Sequence, residues 1–487
     1  MKTNLTLTLS GTAALIAAIP ADAFANKKAD AKDAAGSGKM NVIYFLCDDL
    51  GYGDLGCTGQ KNFTTPNIDR MRAEGMLFTQ HYSGCAVSAP SRCALMTGLH
   101  TGHCYIRGNK SVGEEGQLPI PADTYTLAKL FKSRGYATGA FGKWGLGNPG
   151  SEGDPVNQGF DRFYGYNCQS VAHRYYPTHL WDNFDKVVLE ANANGGKKIY
   201  APDLIQAQAL KFISDNKEKP FFLYVPVILP HAELLAPEDE LLFKYRGLFA
   251  EVPYEGADYG PDMTSNGYCS QPEPYATFAA MVSRADRYLG EIMERLKAEG
   301  LDKKTIVFFS SDNGPHREGG ANPDYFRSYG PLRGIKRDLW EGGIRLPLIV
   351  RAPGMIAPNS TNDHICAMWD MMPTMAELIG AKLPAGVATD GISIVPSLTG
   401  KGEQKQHDYL YWEFHEQNGR IAVRRGDWKM VIYDVENPQK TNYHLFDLSK
   451  DIHEDNDLAA KYPDVLKSMV EIARNAHTKS KIWDFKN

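Results

Sequence analysis

The sequence predicts an α/β fold, a large sheet covered by helices on both faces, with a smaller C-terminal α+β domain holding an antiparallel sheet and one helix. Two observations lead there. Continuous apolar runs of β character alternate with amphipathic helical segments through most of the chain, the pattern of strands buried on both faces. From about His407 the texture changes to short strands separated by turn residues.

The apolar runs are Asn41 to Cys47, Tyr136 to Phe141, Pro220 to Leu229, Thr305 to Ser310 and Leu346 to Arg351. Helical periodicity falls between them, over Thr126 to Arg134, Asp203 to Asn216 and Tyr275 to Glu299. The C-terminal strands are expected at 409–414, 420–424, 428–433 and 443–447, and the last helix at Pro463 to Ala476. Thr399 to Gln406, rich in Gly, Lys and Gln, reads as a linker, so the domains are set at 40–397 and 405–487.

Residues 1–25 read as an export signal. Lys2 gives the positive start, Leu5 to Ile19 is apolar and small, and Ala23-Phe24-Ala25 is a cleavage site. The apolar stretch is short and broken by Pro20, so no stable membrane span is expected, although an uncleaved anchor helix is the competing reading. Residues 26–39 form a flexible leader. The mature protein is therefore expected to be exported, in the periplasm, outside the cell or at its surface. Eight cysteines in such a compartment are compatible with disulfides, but none forms a C-x-x-C pair, which argues against a zinc or thioredoxin-type site.

The whole chain has 487 residues, a net charge of −5, 43% hydrophobic and 23% charged positions. That excludes a disordered tail and a multi-pass membrane protein, and it lacks the basic excess of a nucleic-acid binder.

Ligands bind beyond the carboxyl ends of strands in open α/β sheets, so the residues just past each run matter most. The first run leads into Asp48-Asp49, and the run at Thr305 leads into Asp312-Asn313. The second leads into Gly142-Lys143, and the Pro220 run into Pro230-His231. Three carboxylates and an amide oxygen are hard ligands; Ca²⁺ fits them better than zinc, with Mg²⁺ as the alternative. Each Asp could instead cap a turn, but two such pairs at matching strand ends favour the metal. Ser88-Ala89-Pro90-Ser91-Arg92 places Ser88 just before a helix N-terminus, where amides favour an anion and Arg92 adds a fixed positive charge. Alone, that turn is ordinary capping chemistry.

Taken together, these residues resemble the type I sulfatases of the alkaline-phosphatase superfamily, most like the serine-type bacterial glycan sulfatases. Their signature, Cys or Ser followed by x-Pro-Ser-Arg, matches Ser88 to Arg92. The likeness runs from about Met40 to the end, including Leu332 to Lys336, Glu341 to Pro347, Ala422 to Lys429 and Leu445 to Asp451. The resemblance implies that Ser88 is converted to Cα-formylglycine by a maturation enzyme of the anaerobic serine type. It implies one Ca²⁺ held by Asp48, Asp49, Asp312, Asn313 and the converted Ser88. Arg92, Lys143 and Lys336 match the sulfate-contacting cations, and His231 matches the histidine that protonates the leaving group.

One departure stands out: where many members have Gly-Lys-Trp-His-Leu-Gly, this chain has Gly142-Lys-Trp-Gly145-Leu-Gly147. His316 is the favoured replacement for the missing histidine, ahead of His103. For the sugar of a sulfated carbohydrate substrate, His173 and Arg174 in a polar-aromatic loop are candidates, with His415 reaching over from the second domain. Asn322 and Asp324 are weaker ones. The competing readings are a phosphomonoesterase or phosphodiesterase using unmodified Ser88, and a catalytically silent glycan-binding protein.

Overall fold

The computed structural model describes residues 39–113, 115–257 and 267–485. Residues 1–25, read above as an export signal, and 26–38, read as a leader, lie outside the described residues. Among the described residues, no helix is long and apolar enough to cross a membrane.

The large sheet contains β1 (Asn41–Cys47), β2 (Met76–Tyr82), β3 (Ala137–Lys143), β4 (Arg162–Tyr166), β5 (His179–Asp182), β6 (Asp185–Val188), β7 (Phe221–Pro226), β8 (Thr305–Ser311), β9 (Arg345–Arg351), β10 (Ser360–Asn362) and β11 (Cys366–Ala367). Its order is β10-β2-β9-β8-β1-β7-β3-β4-β5-β6, with β11 also on β2. The centre is parallel: β8, β1, β7, β3 and β4 run the same way, while β9 and β5 pair antiparallel to their neighbours. Every residue of β1, β7 and β8 is buried, as their unbroken apolar sequences require when both faces are covered.

One apolar cluster lies on each face. Ile43, Phe45, Leu223, Val307 and Phe309 pack against helices Ala201–Asp215 and Pro274–Ala298. Val42, Tyr44, Phe222, Ile306 and Phe308 point the other way, against helices Ser88–Thr97, Leu127–Ser133 and Met371–Leu378. Alternate residues of each strand thus serve opposite layers.

The second sheet is β12 (Leu410–Phe414), β13 (Arg420–Arg425), β14 (Trp428–Tyr433) and β15 (Asn442–Asp447), antiparallel in that order. Helix Pro463–Ala476 covers one face, through Met469, Ala473 and Ala476 on Tyr411, Val423 and Met430. The other face carries Trp412, Phe414, Ala422 and Val431, which join Tyr82, Trp340 and Trp369 in one cluster. Each fully buried large side chain there contributes about 1.5–3 kcal/mol, so the two sheets are held as one body.

The eight cysteines are all free thiols, seven of them buried. Six short, polar or interrupted strands, β2, β4, β5, β6, β10 and β11, are not legible in the sequence because no continuous apolar run marks them.

Candidate active site

The two acidic pairs meet because β1 and β8 are parallel neighbours in register. Cys47 lies opposite Ser311, so Asp48-Asp49 and Asp312-Asn313 leave the sheet side by side. The backbone then locks them: Asp312 N–H donates to Cys47 O at 3.1 Å, and Asp49 N–H donates to Asp312 Oδ1 at 3.1 Å. Asp49 sits at φ 63°, a left-handed conformation that a non-glycine residue seldom adopts outside a constrained site. All four residues are completely buried.

Ser88 opens the fully buried helix Ser88–Thr97, as its first residue rather than as the residue before it. Its hydroxyl donates to Asp48 Oδ1 at 2.9 Å, and Lys143 Nζ lies 3.4 Å from the same hydroxyl oxygen. Arg92, one turn later on the same helix face, donates through Nε and Nη2 to Asp312 Oδ2 at 3.0 and 2.7 Å. Its Nη1 donates to the Lys143 carbonyl at 2.6 Å. Ser91 Oγ donates to the Asp312 carbonyl at 2.5 Å, tying the helix to the end of β8. The N-terminal end of the helix dipole and two cations therefore converge on Ser88.

On the opposite side stand Lys336 and His231. Lys336 Nζ reaches Asp49 Oδ2 at 2.9 Å, Glu318 Oε2 at 2.8 Å and His231 Nε2 at 3.0 Å. His231 Nδ1 faces the Ala232 carbonyl, so that nitrogen carries the proton and Nε2 accepts from Lys336.

These groups shift one another. Burial would raise Asp48, but Lys143 and the neighbouring His231 and Arg92 outweigh it and hold the carboxyl well below the usual carboxylate range. Burial and the adjacent Asp48 charge push Asp312 up to about 6. Burial would lower Lys336, yet Asp49 and Glu318 raise its ammonium above the ordinary lysine value. Burial depresses His231, and the Lys336 charge adds to that.

The donor set fits a hard cation. Asp48, Asp49 and Asp312 offer carboxylate oxygens, and Asn313 Oδ1 is buried with no hydrogen-bond partner while its Nδ2 donates to Asp49 Oδ1 at 2.6 Å. An orphaned amide oxygen beside three carboxylates, one of them pushed up by burial and by the adjacent Asp48 charge, is short of positive charge on that side.

The sugar-facing candidates divide. The His173 ring stacks on His231 at 4.7 Å between centroids, with Tyr268 beside both. Burial, then Lys143 and Lys336, push His173 down to about 3, so it is a neutral ring at neutral pH. Arg174 Nη1 pairs with Glu233 Oε2 at 2.9 Å and donates to the Gly267 carbonyl at 2.8 Å, bracing the loop under His173.

His316 comes near, 5.9 Å from the His231 ring, but both of its nitrogens are engaged. Nδ1 accepts from Glu318 N–H at 3.1 Å, and Nε2 lies 3.1 Å from the Pro230 carbonyl. His415 is not brought to this cluster: it donates to Glu413 at 2.9 Å and stacks on Phe485 at 4.3 Å. His103 pairs with Asp390 at 2.8 Å, and Asn322 caps the short helix Pro323–Phe326, whose Asp324 pairs with Arg317. Sequence reasoning missed Glu318, Tyr268 and Arg337, whose Nη1 lies 2.7 Å from Glu318 Oε1.

The chain is similar to known sulfatases. The Sulfatase family model matches residues 40–381, and that for the N-sulphoglucosamine sulphohydrolase C-terminal region matches 335–479. A mouse N-acetylgalactosamine-6-sulfatase is 30% identical over 81% of this chain and 72% of its own. An N-acetylgalactosamine-6-O-sulfatase of Bacteroides thetaiotaomicron is 27% identical, covering 93% of this chain and 96% of its own. The solved structure of Ps i-CgsB in complex with k-i-k-neocarrahexaose superposes with a TM-score of 0.76 at 27% identity, covering 92% of this chain and 95% of that one. With the family's match spanning the large sheet and the acidic pairs, the Ser88 helix and Lys336 all within it, the chain belongs to the sulfatase family and is a sulfuric ester hydrolase.

Proposed function

We propose that the protein is an exported hydrolase of sulfate esters on a sugar, in a sulfated glycan or its oligosaccharides. Ser88 is converted to Cα-formylglycine by a separate maturation enzyme, and one Ca²⁺ is held by Asp48, Asp49, Asp312, Asn313 and the converted residue 88. The observation that most supports this is the setting of Ser88: its Oγ is buried, 2.9 Å from Asp48 and 3.4 Å from Lys143, at the start of a helix. Support for a sugar comes from the relatives named for N-acetylgalactosamine and the neighbour bound to a neocarrahexaose.

When present, the hydrated aldehyde supplies one hydroxyl to attack sulfur and a second to release sulfate, and the cation supplies positive charge beside the sulfate oxygens. The chain's own residues do the rest. Asp48 and Lys143 orient the oxygen at position 88. Arg92, fixed by Asp312 and the Lys143 carbonyl, contributes charge without needing to reorganise. Lys336 Nζ carries the proton and donates to His231 Nε2, so the pair is the proton source for the departing sugar oxygen: His231 Nε2 takes the proton from Lys336 and hands it on, leaving Lys336 a neutral amine. Glu318 keeps Lys336 aimed there. His316, with both nitrogens engaged, positions the Glu318 loop. His173 presents a neutral aromatic face to the sugar, and Arg174 holds that loop through Glu233.

Mass spectrometry of the Ser88 peptide, from protein purified out of its native host, tests the reading. Loss of two hydrogens at Ser88 with release of sulfate from a sulfated sugar is expected. Unmodified Ser88 with release of phosphate instead would overturn it in favour of a serine phosphatase.

A further inference from the structure

Gly145 lies two residues beyond Lys143, and its φ is 79°. A Cβ at this position would meet Gln169 Nε2 at 2.4 Å and Arg92 Cδ at 3.7 Å. The Gln169 amide therefore fills the space that any side chain at position 145 would need, next to the arginine of the anion site. The two segments are tied together there, since Gly145 N–H donates to the Asn167 carbonyl at 2.9 Å. Asn167 is itself fixed by Asp154 at 3.0 Å.

Gln169 Nε2 is buried and has no hydrogen-bond partner. A buried amide donor without an acceptor is unfavourable, and native proteins seldom keep one without a use. The Arg92 side chain passes beside the same space, its Cδ 3.7 Å from where a Cβ at 145 would stand, and its Nη1 donates to the carbonyl of Lys143, whose Nζ is 3.4 Å from Ser88 Oγ. The acceptor suited to a primary amide in that company is an anionic oxygen. We propose that Gln169 Nε2 donates to a non-leaving oxygen of the bound sulfate group, the absence of a side chain at Gly145 leaving the amide its place. This rests on the sulfate-ester reading above. An amide cannot take up a proton at neutral pH, so Gln169 acts by binding and orientation alone.

Calorimetric titration of inorganic sulfate into the full-length calcium-loaded protein tests it, beside Gln169→Ala, Gln169→Glu and Gly145→Ala, with melting temperature as the folding control. Losing a hydrogen bond to a charged group predicts about tenfold weaker sulfate binding for Gln169→Ala, and about a hundredfold or more for Gln169→Glu, where a carboxylate would face the anion. Gly145→Ala, which displaces the amide, is expected to match Gln169→Ala. In each variant kcat/KM falls in step with sulfate affinity, while the pH profile keeps its shape. Sulfate binding within about twofold of the parent in Gln169→Ala, or retained in Gln169→Glu, overturns this assignment alone. A parent protein that binds no sulfate overturns the sulfate-ester reading and this assignment with it.

Discussion

Of the buried ionic clusters among the described residues, the one at Glu413 and the one around Ser88 contrast most, and the second has the marks of chemistry. At Glu413 each carboxylate oxygen has two donors: Arg107 and His415 on Oε1 at 2.9 Å each, Tyr411 and His477 on Oε2 at 2.8 and 2.7 Å. Arg107 spends its remaining donors on Thr478 and the Cys104 carbonyl. None of these atoms is left without a partner. Around Ser88 the charges are as dense and as buried, yet Asn313 Oδ1 and Gln169 Nε2 are orphaned, and Asp312 is pushed up to about 6 by burial and Asp48. A closed network stabilises the chain on its own. An open one of opposite deficits, short of a cation beside Asn313 and of an anion beside Gln169, is built to be completed by ligands.

The largest expected effect separates the two clusters through catalysis. Asp312→Ala removes a ligand of the proposed cation and releases Arg92, and it should lower kcat/KM for sulfate release by about 10²–10³-fold or more. Chelation of the parent protein should have a similar effect, reversed by added Ca²⁺. Unchanged sulfate release in Asp312→Ala would break the comparison at its functional end.

Glu413→Gln should act on the other axis. Removing the charge leaves Arg107 buried without its carboxylate, which costs about 3–5 kcal/mol of stability. The kcat/KM of the folded fraction should stay within about twofold, since nothing in that network touches Ser88. Urea unfolding together with kinetics on the same samples checks both halves; intact stability with damaged kinetics would reverse the assignment. His415→Ala is the milder version, costing about 1–2 kcal/mol with KM for the sulfated sugar unchanged.

Much of this was legible in advance where geometry follows from local pattern. Buried parallel strands put their carboxyl ends on one edge, so Asp48, Asp49, Asp312, Asn313, Lys143 and His231 could be read from their places just past the apolar runs. Loop residues could not. Glu318, Tyr268 and Gln169 reach the site through packing between segments distant in sequence, and no periodicity encodes that. His415 is different, because a signal was there and went unused. Leu410, Trp412 and Phe414 face the cluster shared with the large sheet, while Tyr411 faces helix Pro463–Ala476. Period-two alternation continues through Glu413 to His415, which belongs with Tyr411 and points towards the C-terminal tail.

The smallest effect is the most diagnostic of a closed network, because its pH dependence has two edges. Burial would raise Glu413, but His415, His477 and Arg107 bring it from its ordinary 4.5 down to about 2. Its contribution is therefore fully present above about pH 4.5 and drains away as pH falls towards 2. His477 is raised above its ordinary 6.5 by its hydrogen bond to Glu413, so its share is present below pH 6.5 and fades as the pH climbs through the raised value. The stability difference between the parent and Glu413→Gln should be greatest between about pH 4.5 and 6.5 and should narrow on both sides. Urea unfolding across that range reads it directly. A difference that stays flat, or grows below pH 4.5, would mean that Glu413 is not ionised within its network, and the contrast with the Ser88 cluster would have to rest on the orphaned amide groups of Asn313 and Gln169 alone.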